Sequence, residues 1–109
     1  MSTTIRPIPV SLLTDSVLLF TPSVNGEISE LVENVRVIRT SEITDRAAVN
    51  ARDISELTVY YDCVNSYPRY MEFAAGMLMQ YDDIMYEVMK VEEFSAEKLH
   101  HLRITARRT

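Results

Sequence analysis

Short apolar runs and stretches of period-two alternation, separated by turn residues, recur along this chain. Val17-Leu18-Leu19-Phe20 is a short β-branched and aromatic run closed by Pro22, which predicts a first strand over residues 17–20. Asn25-Gly26 follows inside the turn 23–26 and is the strongest hairpin signal present. Over residues 28–39, Leu31, Val35 and Val37 share one parity, broken by Glu33, while Val32 and Ile38 share the other; the stretch 35–39 alternates well enough for a strand. Leu57, Val59 and Tyr61 lie on one parity of a further strand over 54–62, ended by the turn Asn65-Ser66-Tyr67-Pro68. Residues 77–91 predict a hairpin turning at Asp82-Asp83. Its second arm is apolar on both parities, with Ile84, Tyr86 and Val88 on one and Met85, Met89 and Val91 on the other, which implies cover on both faces or a partner on one. Leu102 and Ile104 alternate with His101, Arg103 and Thr105 in a last strand over 99–106.

No amphipathic helix of ten or more residues and no internal repeat is visible. Residues 41–53 sustain no period and predict a long loop, with room for a helical turn over 43–49. Pro7 and Pro9 forbid a helix interior, so residues 1–15 are expected to form an extended arm anchored by Leu12-Leu13. The expected architecture is a single all-β domain over 1–109: a small six-stranded β-barrel or sandwich over 16–106, with a long inter-strand loop and an extended N-terminal arm. A compact chain of this length has a radius of gyration near 13 Å.

Composition narrows the function classes. The 109 residues are 47% hydrophobic and 25% charged, which is globular. With two glycines, there is no glycine-rich loop to cradle phosphate, which excludes P-loop and Rossmann chemistry. A net charge of -5 gives no general footprint for nucleic acid. One cysteine, Cys63, makes no internal disulfide and cannot supply a thiolate zinc site, so a cytosolic setting is the default. Residues 1–10 lack an apolar signal-peptide core and no apolar run approaches the ~20 residues that span a bilayer, so a soluble chain is expected.

Candidate chemistry is sparse. Cys63 with His100 or His101 is the one nucleophile–base combination, but Cys63 follows a strand, and a buried small apolar side chain is the simpler reading. His100 and His101 point to opposite faces of a strand and so do not share a metal. Asp82-Asp83 reads as a turn rather than a cation site. The sequence therefore predicts no enzyme, no cofactor and no metal. Charge is more informative: residues 72–97 carry seven acids against Lys90, whereas 98–109 carry four bases and no acid. Two readings follow. Acid and base pair between adjacent strands of one chain, or Glu87, Glu92 and Glu93 of one copy meet Arg103, Arg107 and Arg108 of the next. Five methionines between 71 and 89 suit either a core or a subunit interface.

Several motifs occur together in a familiar order. Ile8-Pro9, Leu12-Leu13 and Asp15-Ser16-Val17 open the chain, and Asn34-Val35-Arg36-Val37 with Thr40 follows. Next come Tyr61-Asp62-Cys63-Val64-Asn65-Ser66-Tyr67-Pro68, then Tyr81-Asp82-Asp83 with Tyr86, Val88 and Val91, and last Lys98-Leu99-His100-His101. This series, over about residues 8–105, resembles the small minor capsid protein family of tailed-phage and prophage head–tail gene clusters. The family's hairpin usually carries a glycine in its turn; a type I turn with a bulge would accommodate Asp82-Asp83.

The resemblance implies a small β-barrel of the head-completion or stopper group, forming a ring of copies between portal or adaptor and tail proteins. It also implies a place at the virion head–tail junction, reached from the bacterial cytoplasm during assembly; four bases over 98–109 on a chain of net charge -5 allow at most weak passing contact with packaged double-stranded DNA, and no membrane contact is expected. In some members a long loop closes the channel. By position this would be 41–53, with Ser41, Glu42, Asp45, Arg46, Asn50 and Arg52 toward the channel. A minor capsid or decoration protein of the shell is the alternative, and a small β-barrel ligand-binding or enzymatic domain a remote one.

Overall fold

Period-two alternation in the chain becomes inside and outside in a closed barrel. The computed structural model describes residues 9–24, 26–43, 53–95 and 99–109. These form β1 (Asp15–Ser23), β2 (Gly26–Ile43), β3 (Asp53–Asp62), β4 (Leu78–Tyr81), β5 (Ile84–Ser95) and β6 (Leu99–Arg108). Every neighbouring pair is antiparallel, and the order β1-β2-β3-β6-β5-β4 closes on itself. The expected all-β, six-stranded barrel is what the chain forms. Closure removes most of the exposed strand edge that would invite pairing with other chains.

Inward residues meet in register. Val17 lies opposite Val32, Leu19 opposite Met79, Val59 opposite Ile104, Leu57 opposite Ala106, and Met79 opposite Tyr86. All are buried, and each large aliphatic side chain so placed contributes about 1.5–3 kcal/mol.

Two irregularities resolve the mixed parities of the sequence. On β2, Asp15 pairs with Val35 but Ser16 pairs with Glu33, so Asn34, at φ 58°, is an extra residue. The bulge flips the alternation, which lets both Val32 and Val35 face inward while Leu31 faces out. On β5 the register shifts between Val88 and Lys90, leaving Met89 half exposed in the bulge and returning Val91 toward the core. Apolar residues on both parities of 84–91 thus need no second layer. The other methionines divide: Met79 is fully buried, and Met71 and Met77 pack against the core.

Other expectations need correction. The 35–39 strand is the middle of one 18-residue strand. Ser41 and Glu42, expected in a loop, continue β2 opposite Ser55 and Ile54, because the β2–β3 ladder runs to Ile43 and Asp53. The helical turn expected from residue 43 therefore does not begin there. Asp45, Arg46, Asn50 and Arg52 lie outside the described residues, as do residues 1–8 of the expected arm. The rest of that arm is a single 3-10 turn, Val10–Leu12, followed by buried Leu13 and by Asp15 already in β1. The Asp82-Asp83 turn is not type I with a bulge. Tyr81 pairs directly with Ile84, and both aspartates have positive φ, 52° and 62°, the primed two-residue turn whose twist matches the flanking strands. The Cα radius of gyration is 15.4 Å rather than about 13 Å, because the β1–β2 and β2–β3 ribbons extend beyond the closed wall.

Candidate functional site

The charged residues singled out in the sequence fall on β5, β6 and their neighbours. Arg103 lies opposite Glu92; its Nε–H and Nη2–H donate to Oε1 and Oε2 at 3.1 and 2.8 Å. The guanidinium covers the Phe94 ring at 5.3 Å, and Phe94 stacks on His101 at 4.9 Å. Hydrogen bonding from Arg103 holds the Glu92 carboxyl below its ordinary range, and the same contact raises Arg103. Lys90 Nζ is 3.7 Å from Glu92. Arg107 reaches Glu56 at 3.0 Å. The structure therefore joins Arg103 and Glu92 within one chain and gives Arg107 a partner on β3. Glu87, Glu93 and Arg108 make no ion pair among the described residues.

The run 62–68 has a clear local architecture. Asp62 is buried, and its Oδ1 accepts the N–H groups of Val64 and Asn65, both at 2.9 Å, while Asn65 Nδ2 donates to Oδ2. The Ser66 hydroxyl accepts the Asp62 N–H and donates to the Asn34 carbonyl at the β2 bulge. Glu33 and Tyr67 exchange two backbone hydrogen bonds. Tyr61 Oη donates to the Pro68 carbonyl and accepts the Met71 N–H, and Phe73 packs edge-on against the Tyr61 ring. These contacts fold the β3–β4 connection over one mouth of the barrel.

Among the described residues, no side-chain hydrogen bond joins Cys63 to a histidine. Cys63 is buried, and burial pushes its thiol pKa up, away from a nucleophilic thiolate. Its contact with His100 is a backbone one, Cys63 N–H to the His100 carbonyl. Burial lowers the His101 pKa, opposed by the charge of Asp62, and the Nδ1 atoms of both histidines lack partners among the described residues. No group of three or more His, Cys, Asp or Glu there is placed to hold a metal ion. Asp82 instead pairs with Arg39 at 3.3 Å, and the Arg39 guanidinium lies 5.7 Å from the Tyr81 ring centroid.

Sequence reasoning missed a cavity of about 360 Å³ at the covered mouth, between segment 70–73 and strands β5 and β6. Tyr70, Phe73, Val91 and Leu102 form its apolar wall, and Glu72 and Glu93 line it too. The 69–76 stretch has no alternation to reveal what it packs against; the one available signal was aromatic residues inside an aperiodic connection.

No family model, no curated protein and no solved structure matches the chain. No helix among the described residues is long and apolar enough to cross a membrane.

Proposed function

We propose that the chain is a structural subunit of a tailed-phage or prophage virion, set in the head–tail connector as a head-completion ring between portal and tail. The observation that carries this reading is the closed barrel from which the β2–β3 ladder continues, through Ser41–Ser55, Glu42–Ile54 and Ile43–Asp53, past the last β3–β6 pair at Glu56–Arg107. A rigid barrel suits a ring in which each copy meets the next through two different patches, with the connection between β2 and β3 assigned to closing the channel. The ordered motifs from Ile8-Pro9 to Lys98-Leu99-His100-His101 support the same assignment by resemblance.

In this role the partners are copies of the chain, portal or adaptor proteins and tail proteins. The chain performs no catalysis and needs no cofactor. It works at the virion head–tail junction after assembly in the bacterial cytoplasm. Its acidic balance lets packaged DNA pass without a tight grip on phosphate. Cryo-imaging of the particle tests the assignment: density for one closed ring at the junction is expected. Density spread over the shell would replace the ring with a decoration role, and absence from the particle would overturn both. Shortening residues 44–52 is expected to leak DNA from filled heads; heads that stay tight would remove the channel-closing part of the proposal.

A further inference from the structure

Strands β5 and β6 each carry a row of inward positions. On β5 the row runs Tyr86, Val88 and, after the bulge, Val91, and ends on the same parity at exposed Glu93; on β6 it runs Leu102, Ile104 and Ala106, and ends at exposed Arg108. The antiparallel register sets Glu93 opposite Leu102 and Arg108 opposite Tyr86. One end of the paired rows therefore carries an acid, and the other a base.

Glu93 opens into the 360 Å³ cavity, where Glu72 is the second carboxylate and Tyr70 and Phe73 supply aromatic wall. Neither glutamate has an ion pair among the described residues. Carboxylates beside aromatic faces suit a guanidinium, whose planar fork donates to oxygen while its face stacks on a ring. The chain uses that combination twice already, at Arg103 with Glu92 and Phe94 and at Arg39 with Asp82 and Tyr81. Arg108 is exposed at the opposite mouth with no ion pair among the described residues, and within its own chain the barrel separates it from the cavity.

We propose that the Glu72–Glu93 cavity receives Arg108 of a second copy. The contact is heterologous, mouth to opposite mouth, so each copy offers both a donor and an acceptor and the association repeats. It deepens the ring reading by naming a contact between copies, and rests on that reading only for its place in the particle.

Sedimentation velocity on the full chain, from micromolar to millimolar concentration at low and high salt, tests the contact. Concentration-dependent association that weakens with salt is expected. Arg108→Glu and Glu93→Arg should each weaken it by about tenfold or more. Mixing the two variants should restore it, because each then meets an opposite charge. Arg108→Lys should restore association only in part, since an ammonium lacks the fork and the stacking plane. Unchanged circular dichroism would show both variants folded, and Arg108→Ala provides a milder second variant. A parent chain that stays monomeric at millimolar concentration in low salt overturns the proposal, as does a charge-reversed variant that associates like the parent. Particles of Arg108→Glu with a complete ring at the junction would overturn this contact and leave the ring reading standing. Parent particles without that ring would overturn the ring reading alone, and the contact would stand or fall by sedimentation.

Discussion

Arg103 and Glu92 close on each other across the β5–β6 ladder, two N–H groups on two carboxylate oxygens, with Phe94 beneath the guanidinium. Two residues that the charge pattern offers to neighbouring copies thereby satisfy each other inside one chain. Arg107 is likewise engaged with Glu56. Reversing either arginine perturbs the monomer before it perturbs any assembly.

Arg103→Glu is therefore expected to lower the urea midpoint of the isolated chain, and Glu92→Arg in the same chain to recover most of the loss. The pair is partly exposed, so the difference should shrink in high salt. The Glu92 pKa is lowered in the fold, so its stabilisation is present above its ordinary value of 4.5 and is lost as pH falls through the lower folded value. Urea titrations at several pH and salt values check both points. Equal midpoints for parent and Arg103→Glu would show that the pair contributes nothing.

His101 supplies a separate pH dependence. Burial depresses its pKa below 6.5, opposed by the charge of Asp62, its register partner across β3–β6, and reinforced by the neighbouring His100. The unfolded chain binds the proton more readily, so stability is full above 6.5 and falls as pH drops through the lower folded value. His101→Phe keeps a ring against Phe94 and removes the titration. Its unfolding midpoint should lose the slope that the parent shows just below pH 6.5. A parent midpoint flat across that window would refute the assignment.

Much of the barrel was legible because inward strand positions must be apolar. Val59, Ile104 and their neighbours announce their face by alternation, whereas Val17 sits in an apolar run that marks a strand but not its inward face. The pattern misleads where an extra residue resets parity. Asn34 and Met89 do this; asparagine tolerates the left-handed φ of 58° found at Asn34, but nothing in methionine marks a bulge, and the mixed parities around both were the visible trace. The turn at Asp82-Asp83 was legible as a turn but not as a primed one, because aspartate tolerates both signs of φ. The charge segregation between 72–97 and 98–109 was visible, yet pairing within the chain or between copies depends on which strands are neighbours. The β5–β6 register supplies that for Arg103, while Arg108 and Glu93 fall at opposite ends of it. The cavity was hidden because the connection that forms it has no period.

Asp62 ties the end of β3 to the loop over the barrel mouth. Replacing it with Ala strands the Val64 and Asn65 N–H groups, which a buried carboxylate now accepts, and should cost about 2–3 kcal/mol in denaturant unfolding with an unchanged m-value. Asp62→Asn keeps one acceptor oxygen and should cost about half as much. In either variant the His101 pKa, followed by NMR, should fall further, because the charge that raises it is gone. A rise would show that Asp62 does not act on the imidazole electrostatically.

The β4–β5 turn holds two consecutive non-glycine residues at positive φ, Asp82 and Asp83, and both are exposed. Among the described residues, Asp82 has a partner that would be lost on substitution, the Arg39 guanidinium. Asp83 makes no ion pair among the described residues, so glycine there should relieve the left-handed conformation at little loss of contact. Against this stands the larger backbone entropy that glycine gives the unfolded chain, about 0.5–1 kcal/mol. The left-handed cost for an L-residue is about 1–2 kcal/mol, smaller for aspartate, so the balance for Asp83→Gly is a gain of roughly 0.5 kcal/mol. Asp82→Gly breaks the Arg39 contact as well and should gain less. Asp83→Val, branched at Cβ, should destabilise by more than 1 kcal/mol, a threshold taken from the same left-handed cost of about 1–2 kcal/mol. Thermal and urea unfolding of the three variants rank them. If Asp83→Val proves as stable as Asp83→Gly, the turn does not hold the primed geometry.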